Sequence, residues 1–292
     1  MICAGAGWIL SAPRPAFGEA DASRFEGGDP GHGKRIFDAG QCASCHATPG
    51  QPDRLRLGGG LALGSPLGPF YPPNISPDPK DGIGRWRGVD LANALMSGVS
   101  PAGQHYYPAL PYAGYARMRP EDVRDLMAYL RGLPPVQGRT PPHDIPFPFT
   151  IRRGVGLWKL LFLDRDPIPD DPSREAQWNR GRYLVEALAH CAECHSTRNI
   201  FYAVKPSQRF AGGPDQEGTG FIPNITPQAI GAWSEDQLVE VLTSGHTPDL
   251  RVVRSSMDDV VKNMSALPEE DRRAIAVFIR SLPPRPTPGP EN

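Results

Sequence analysis

The chain has 292 residues, 31 basic and 32 acidic side chains and 39 % hydrophobic residues. That is long enough for about two domains, too evenly charged to point to nucleic acid, and too polar for a bundle of membrane helices. Its 35 prolines and 32 glycines exceed a fifth of the chain and are spread along it, which predicts a loop-rich globular protein whose interior is filled partly by something other than side chains.

In chain order, the apolar stretch "ICAGAGWILSAP" comes first. It is too short to span a bilayer and has no basic region ahead of it. Residues 1–27 are read as the remnant of an export signal or anchor with a tail, the alternative being a loosely packed terminus; no role is assigned to Cys3. The other four cysteines fall in two C-x-x-C-H motifs, "CASCH" (42–46) and "CAECH" (191–195). Two thiols one helical turn apart can add to the two vinyl groups of a haem, and the adjacent histidine then reaches the iron. Cys42, Cys45, Cys191 and Cys194 are therefore expected to hold two covalent haem c groups, with His46 and His195 as iron ligands. A zinc ribbon would not place a histidine directly after both cysteine pairs.

The two halves repeat each other. "GKRIFDAGQCASCH" matches "GRYLVEALAHCAECH", "PPNISP" matches "IPNITP", and "RPEDVRDLMAYLRGLPP" matches "LPEEDRRAIAVFIRSLPP". The offset stays within a few residues of 149. Each copy is predicted to run helix, haem motif, loop, helix, loop, helix. The first helix is expected to run straight into the motif. The second follows Trp86 or Trp233 and carries Leu91, Leu95 and Val99 on one face. The last opens on an acidic turn, which suits the helix dipole, and stops at Leu-Pro-Pro. Asn74 and Asn224, with Ser76 and Thr226, and the two tryptophans could each donate to haem propionates or be turn and core residues. Arg85 and Arg87 could offset propionate charge in the first copy.

Between the copies, "FTIRRGVGLWKLLFLD" (149–164) aligns Ile151, Val155, Trp158 and Phe162 on one stripe, widened by Leu157, Leu160 and Leu161. Arg152, Arg153 and Lys159 are expected on its polar side. Such a helix either packs by its stripe between the two halves or lies on a membrane or partner.

Beyond the haem motifs, "PNISPDPKDGIGRW", "HYYPALPYAGY" and "PNITP" resemble the multihaem cytochrome c subunits of bacterial membrane-bound alcohol, sugar and aldehyde dehydrogenases, and each copy resembles a class I cytochrome c domain. The resemblance implies an all-α fold: two tandem cytochrome c-like domains, residues 28–136 and 179–284, joined by a Pro-rich linker with a short helix (137–178) and followed by a tail (285–292). It implies a periplasmic dihaem electron carrier, anchored at or docked on the outer face of the cytoplasmic membrane. Its expected partners are a dehydrogenase on one side and an oxidase or soluble cytochrome on the other, with no nucleic acid.

In the related subunits a methionine ligand often sits within Tyr-Pro-Ala-Met-Pro-Tyr. Here the stretch is "YPALPY", with Leu110 at that place. Met118 is expected to replace it, with His105 or an open iron as alternatives; Met96 and Met127 read as core. In the second copy Met257 is expected to be the axial ligand in preference to Met264. An open first haem would suit a dihaem enzyme of peroxidase or thiosulfate-oxidising type, but no acid–base constellation accompanies it.

Overall fold

The computed structural model describes residues 2–216 and 220–289; the side chains of residues 2–4 and 6, and so that of Cys3, lie outside the description, as do the last three residues of the expected tail. By contacts the chain divides into two compact units. One comprises the residues up to Phe37 with Cys45–Pro167; the other comprises Asp38–Ser44 with the chain from Ile168 onward.

Helices dominate. In chain order they are α1 (Ile2–Leu10), α2 (Pro30–Ala39), α3 (Cys42–His46), α4 (Gly88–Ser97), α5 (Tyr112–Tyr115), α6 (Pro120–Arg131), α7 (Arg153–Phe162), α8 (Ala176–Tyr183), α9 (Pro227–Ile230), α10 (Glu235–Ser244), α11 (Ser256–Met264) and α12 (Glu269–Arg280). The strands are the two-residue β1 (Gly213–Pro214) and β2 (Phe221–Ile222), paired antiparallel.

In the first unit α2 crosses α6 at Gly33. A Cβ there would lie 1.9 Å from the Asp125 carbonyl oxygen and 2.9 Å from the Tyr129 Cβ, so only glycine lets the two backbones approach this closely. The Phe37 and Tyr129 rings meet edge-on at 5.2 Å beside the crossing. The second unit repeats the device with α8 on α12. A Cβ on Gly181 would lie 1.9 Å from the Ala274 oxygen and 2.9 Å from the Phe278 Cβ.

The core of each unit gathers at its crossing: Ile36, Phe37, Val123 and Met127 in one, Tyr183, Leu184, Leu188 and Ile275 in the other, all fully buried. Pro120 at the first position of α6, with Glu121 and Asp122 behind it, fixes the entry backbone angle and meets the positive end of the helix dipole.

Three local expectations are corrected. The first helix does not run straight into the haem motif, because Gln41 (φ 57°) and His190 (φ 42°), the residues just before Cys42 and Cys191, are left-handed and redirect the chain. The second helix ends before Val99: Gly98 takes φ 58° as the cap of α4, and Val99 forms a bridge with His105. Lys159 does not sit on the polar side of α7. It is only 7 % exposed, with Nζ donating to the Ser97 and Gly98 carbonyls at 2.7 and 2.6 Å. These are carbonyls at the C-terminal, negative end of α4, and they draw the ammonium inward.

Candidate haem sites

Each C-x-x-C-H histidine is held in the same way. The Nδ1 of His46 lies 2.8 Å from the Pro73 oxygen, and that of His195 lies 2.8 Å from the Pro223 oxygen. A carbonyl can only accept, so Nδ1 carries the proton and donates. Nε2 is left with its lone pair, the tautomer an iron ligand needs. Burial lowers the pKa of both imidazoles, opposed only in part by the bond to the proline carbonyl, so both rings stay neutral and ready to ligate at neutral pH. Cys42, Cys45 and Cys191 are half-buried and Cys194 is exposed.

The proline carbonyls are themselves positioned by the next residue. Asn74 Oδ1 accepts from the Ser76 N–H at 2.9 Å, and its Nδ2 donates to the Val136 and Gly138 carbonyls. Asn224 Oδ1 accepts from the Thr226 N–H at 2.7 Å, and its Nδ2 donates to the Arg285 carbonyl. The hydroxyls finish the clasp: Ser76 Oγ accepts from the Val136 N–H, and Thr226 Oγ1 from the Arg285 N–H.

These asparagines are therefore turn-forming struts that tie the loop to the segment after the last helix. Of the two readings open in the sequence, propionate donor or turn residue, the hydrogen bonds show the turn; the proline carbonyls were not anticipated. The signal was present, since Pro-Asn-Ile-Ser/Thr-Pro recurs after each haem motif at nearly the same distance, its first proline 27 residues past His46 and 28 past His195. Arg87 pairs with Glu19 at 2.7 Å. Trp86 and Trp233 are half-buried at the two matching helix starts, and their carbonyls accept from Arg131 and Arg280.

The residues weighed as sixth ligands are placed as follows. Met118 is buried, 4 % exposed, two residues before α6. Met257 is half-buried in the first turn of α11, whereas Met264 is packed in the core. Leu110 is half-buried two residues before α5. His105 is committed at both ring nitrogens, with Nε2 2.9 Å from the Ser11 carbonyl and Nδ1 3.1 Å from Lys159 Nζ.

The cytochrome c family profile matches residues 31–134. A dihaem c-type cytochrome of Cereibacter sphaeroides is 46 % identical, and the match covers 97 % of this chain and 95 % of that one. The chain belongs to the dihaem c-type cytochromes. The fructose dehydrogenase cytochrome subunit of Gluconobacter japonicus is 38 % identical over 86 % of this chain and 52 % of its own length. The cytochrome c subunit of the quinone-type alcohol dehydrogenase of Gluconobacter oxydans is 32 % identical over 96 % of this chain. This chain spans about half to three-fifths of the length of those two subunits. The dihaem cytochrome has a cytochrome c fold, carries two covalently bound haem c groups and transfers electrons.

The residues present fit that cofactor. Each motif supplies two thiols for thioether formation and a neutral imidazole whose free nitrogen is Nε2. Bound haem supplies one-electron chemistry at its iron; the chain holds, orients and desolvates it.

Proposed function

We propose that the dihaem cytochrome is a periplasmic carrier of single electrons, working as the cytochrome subunit of a membrane-associated dehydrogenase and delivering to an oxidase or soluble cytochrome. Two cytochrome c domains, residues 28–136 and 179–284, each bind one haem. Cys42 and Cys45 attach the first and Cys191 and Cys194 the second, with His46 and His195 as proximal ligands and Met257 as the sixth ligand of the second iron. The observation that carries this reading is the duplicated histidine–proline clasp on two intact C-x-x-C-H motifs. A thioether at the second haem favours the ferrous state and raises its potential.

Membrane attachment is supported by the first unit. There α1 pairs with α7: the Arg153 guanidinium stacks on Trp8 at 4.1 Å and donates to its carbonyl. Around that pairing Trp8, Ile9, Leu10, Leu157, Leu160 and Leu161 are exposed, Trp8 by 61 % and Leu161 by 71 %. These apolar side chains, with the Arg153 guanidinium seated on Trp8 among them, make a surface suited to an anionic bilayer interface. In this reading the exposed apolar face lies on the bilayer; among the described residues no helix is long and apolar enough to cross a membrane.

The partner follows from the relatives, whose names attach them to fructose, alcohol and gluconate dehydrogenases. The test is reduction of the purified, haem-loaded cytochrome by membrane dehydrogenase preparations supplied with each of these substrates. Haem reduction with at least one substrate, dependent on the dehydrogenase, is expected. Failure with all of them, while a chemical reductant still reduces both haems, would overturn the subunit reading.

A further inference from the structure

The two units can be set in register by hydrogen bonds they share. In the first, Val99 bridges His105 and the Tyr106 N–H donates to the Gly98 carbonyl at 2.8 Å. In the second, His246 bridges Val252 and the Val253 N–H donates to the Gly245 carbonyl at 2.9 Å. Each residue of the first set lies 147 positions before its counterpart, as Gly98 before Gly245. Carried onward, this register sets Leu110 at the place of Met257.

The last helices give a second, independent register. Gly33 meets Asp125 as Gly181 meets Ala274, and Arg131 and Arg280 reach the carbonyls of Trp86 and Trp233. Asp125 and Ala274 are 149 positions apart, as are Met118 and Leu267. Met118 and Leu267 each stand two residues before the first residue of the last helix, and both are buried, at 4 % and 3 % exposure. Met118 thus fills a core position that leucine fills in the other unit. With Leu110 at the place of Met257, the two extra residues of the second unit fall between Met257 and Leu267.

The other candidates in the first unit are committed elsewhere. His105 has both nitrogens engaged, and Met96 and Met127 are buried on α4 and α6.

We propose that the first haem iron has no thioether ligand and is open on the side of Leu110, forming a binding site for a small neutral diatomic molecule, while Met257 closes the second iron. Haem iron with one axial position free binds such molecules, and the polarity of the distal side selects among them. Leucine flanked by Pro108 and Pro111 offers an apolar face without a side-chain donor, which favours an uncharged ligand over an anion. This inference rests on the two-haem reading above.

The test is titration of the reduced, haem-loaded protein with carbon monoxide, followed by its absorption spectrum, with haem counted per chain in every sample. Wild type is expected to bind one carbon monoxide per two haems. Leu110→Met is expected to bind none, Met118→Leu one, and Met257→Leu two. Zero binding by wild type, or unchanged binding in Leu110→Met, would overturn the inference. A rise from none to one in Met118→Leu would give the thioether role to Met118 instead. Fewer than two haems per chain in wild type would sink the two-haem reading itself, a separate failure.

Discussion

At the scale of single residues the most consequential bonds are the ones from His46 and His195 to backbone oxygen. A carbonyl cannot be mutated, but the struts beside it can. Asn224→Ala removes a buried side chain that accepts from the Thr226 N–H and donates to the Arg285 carbonyl. Its loss is expected to destabilise the haem-loaded protein by about 1–3 kcal/mol, the cost of stranding buried polar groups, and to lower the midpoint of thermal unfolding. An unchanged midpoint would make the clasp incidental. Lys159 gives a pH dependence. Burial, aided by the charge of Arg165, lowers its pKa from 10.5 to about 7. Its Nζ faces the Ser97 and Gly98 carbonyls and His105, and that histidine is held neutral by burial. Between about 7 and 10.5 the unfolded chain holds this proton and the native chain gives it up, so native stability rises with pH across that window. Relative to Lys159→Met, wild type is expected to gain stability from pH 7 to 10; a constant difference between the two denaturation curves would refute the shift.

At the scale of elements, the paired helix crossings set the frame for each haem. Gly33→Ala and Gly181→Ala would each drive a methyl group into a backbone oxygen. Each is expected to cost about 1–3 kcal/mol, the usual penalty of overpacking, and to lower haem incorporation, measured as haem per chain. The helices themselves were legible in the sequence, because the apolar faces, the acidic first turns and the Leu-Pro-Pro stops are local signals; their crossings at Gly33 and Gly181 were not, since these depend on residues about ninety positions away. The left-handed residues Gln41 and His190 were not legible: glutamine is not enriched in that conformation, and histidine, though enriched, adopts it in only a small minority of cases. Nor was the inward turn of Lys159, which depends on carbonyls about sixty residues earlier in the chain. In α7 the sequence showed an apolar stripe but not its surroundings; Leu160 and Leu161 face outward beside α1. Leu160→Glu combined with Leu161→Glu is expected to abolish co-sedimentation with anionic vesicles while leaving both haems in place. Retained binding would remove α7 from the membrane face.

At the scale of the whole molecule, duplication gives two C-x-x-C-H histidines held by the same proline clasp, and in the proposed arrangement the two sites differ on the opposite side of the iron. The C-x-x-C-H motifs announced the cofactors directly. The sixth ligands were harder to read, because a methionine near the last helix is as much a core side chain as a ligand; the paired hydrogen-bond registers are the ground on which we propose different roles for Met118 and Met257. A thioether raises the potential of the iron it binds, so two haems that differ in this ligand should titrate apart. The most direct measurement is an optical redox titration of the haem-loaded protein, run beside Met257→Leu. Two separate one-electron waves of similar amplitude are expected, and the variant should shift the higher one downward. A single wave accounting for only one haem, or two waves that Met257→Leu leaves in place, would contradict a carrier built from one methionine-closed haem and one open haem.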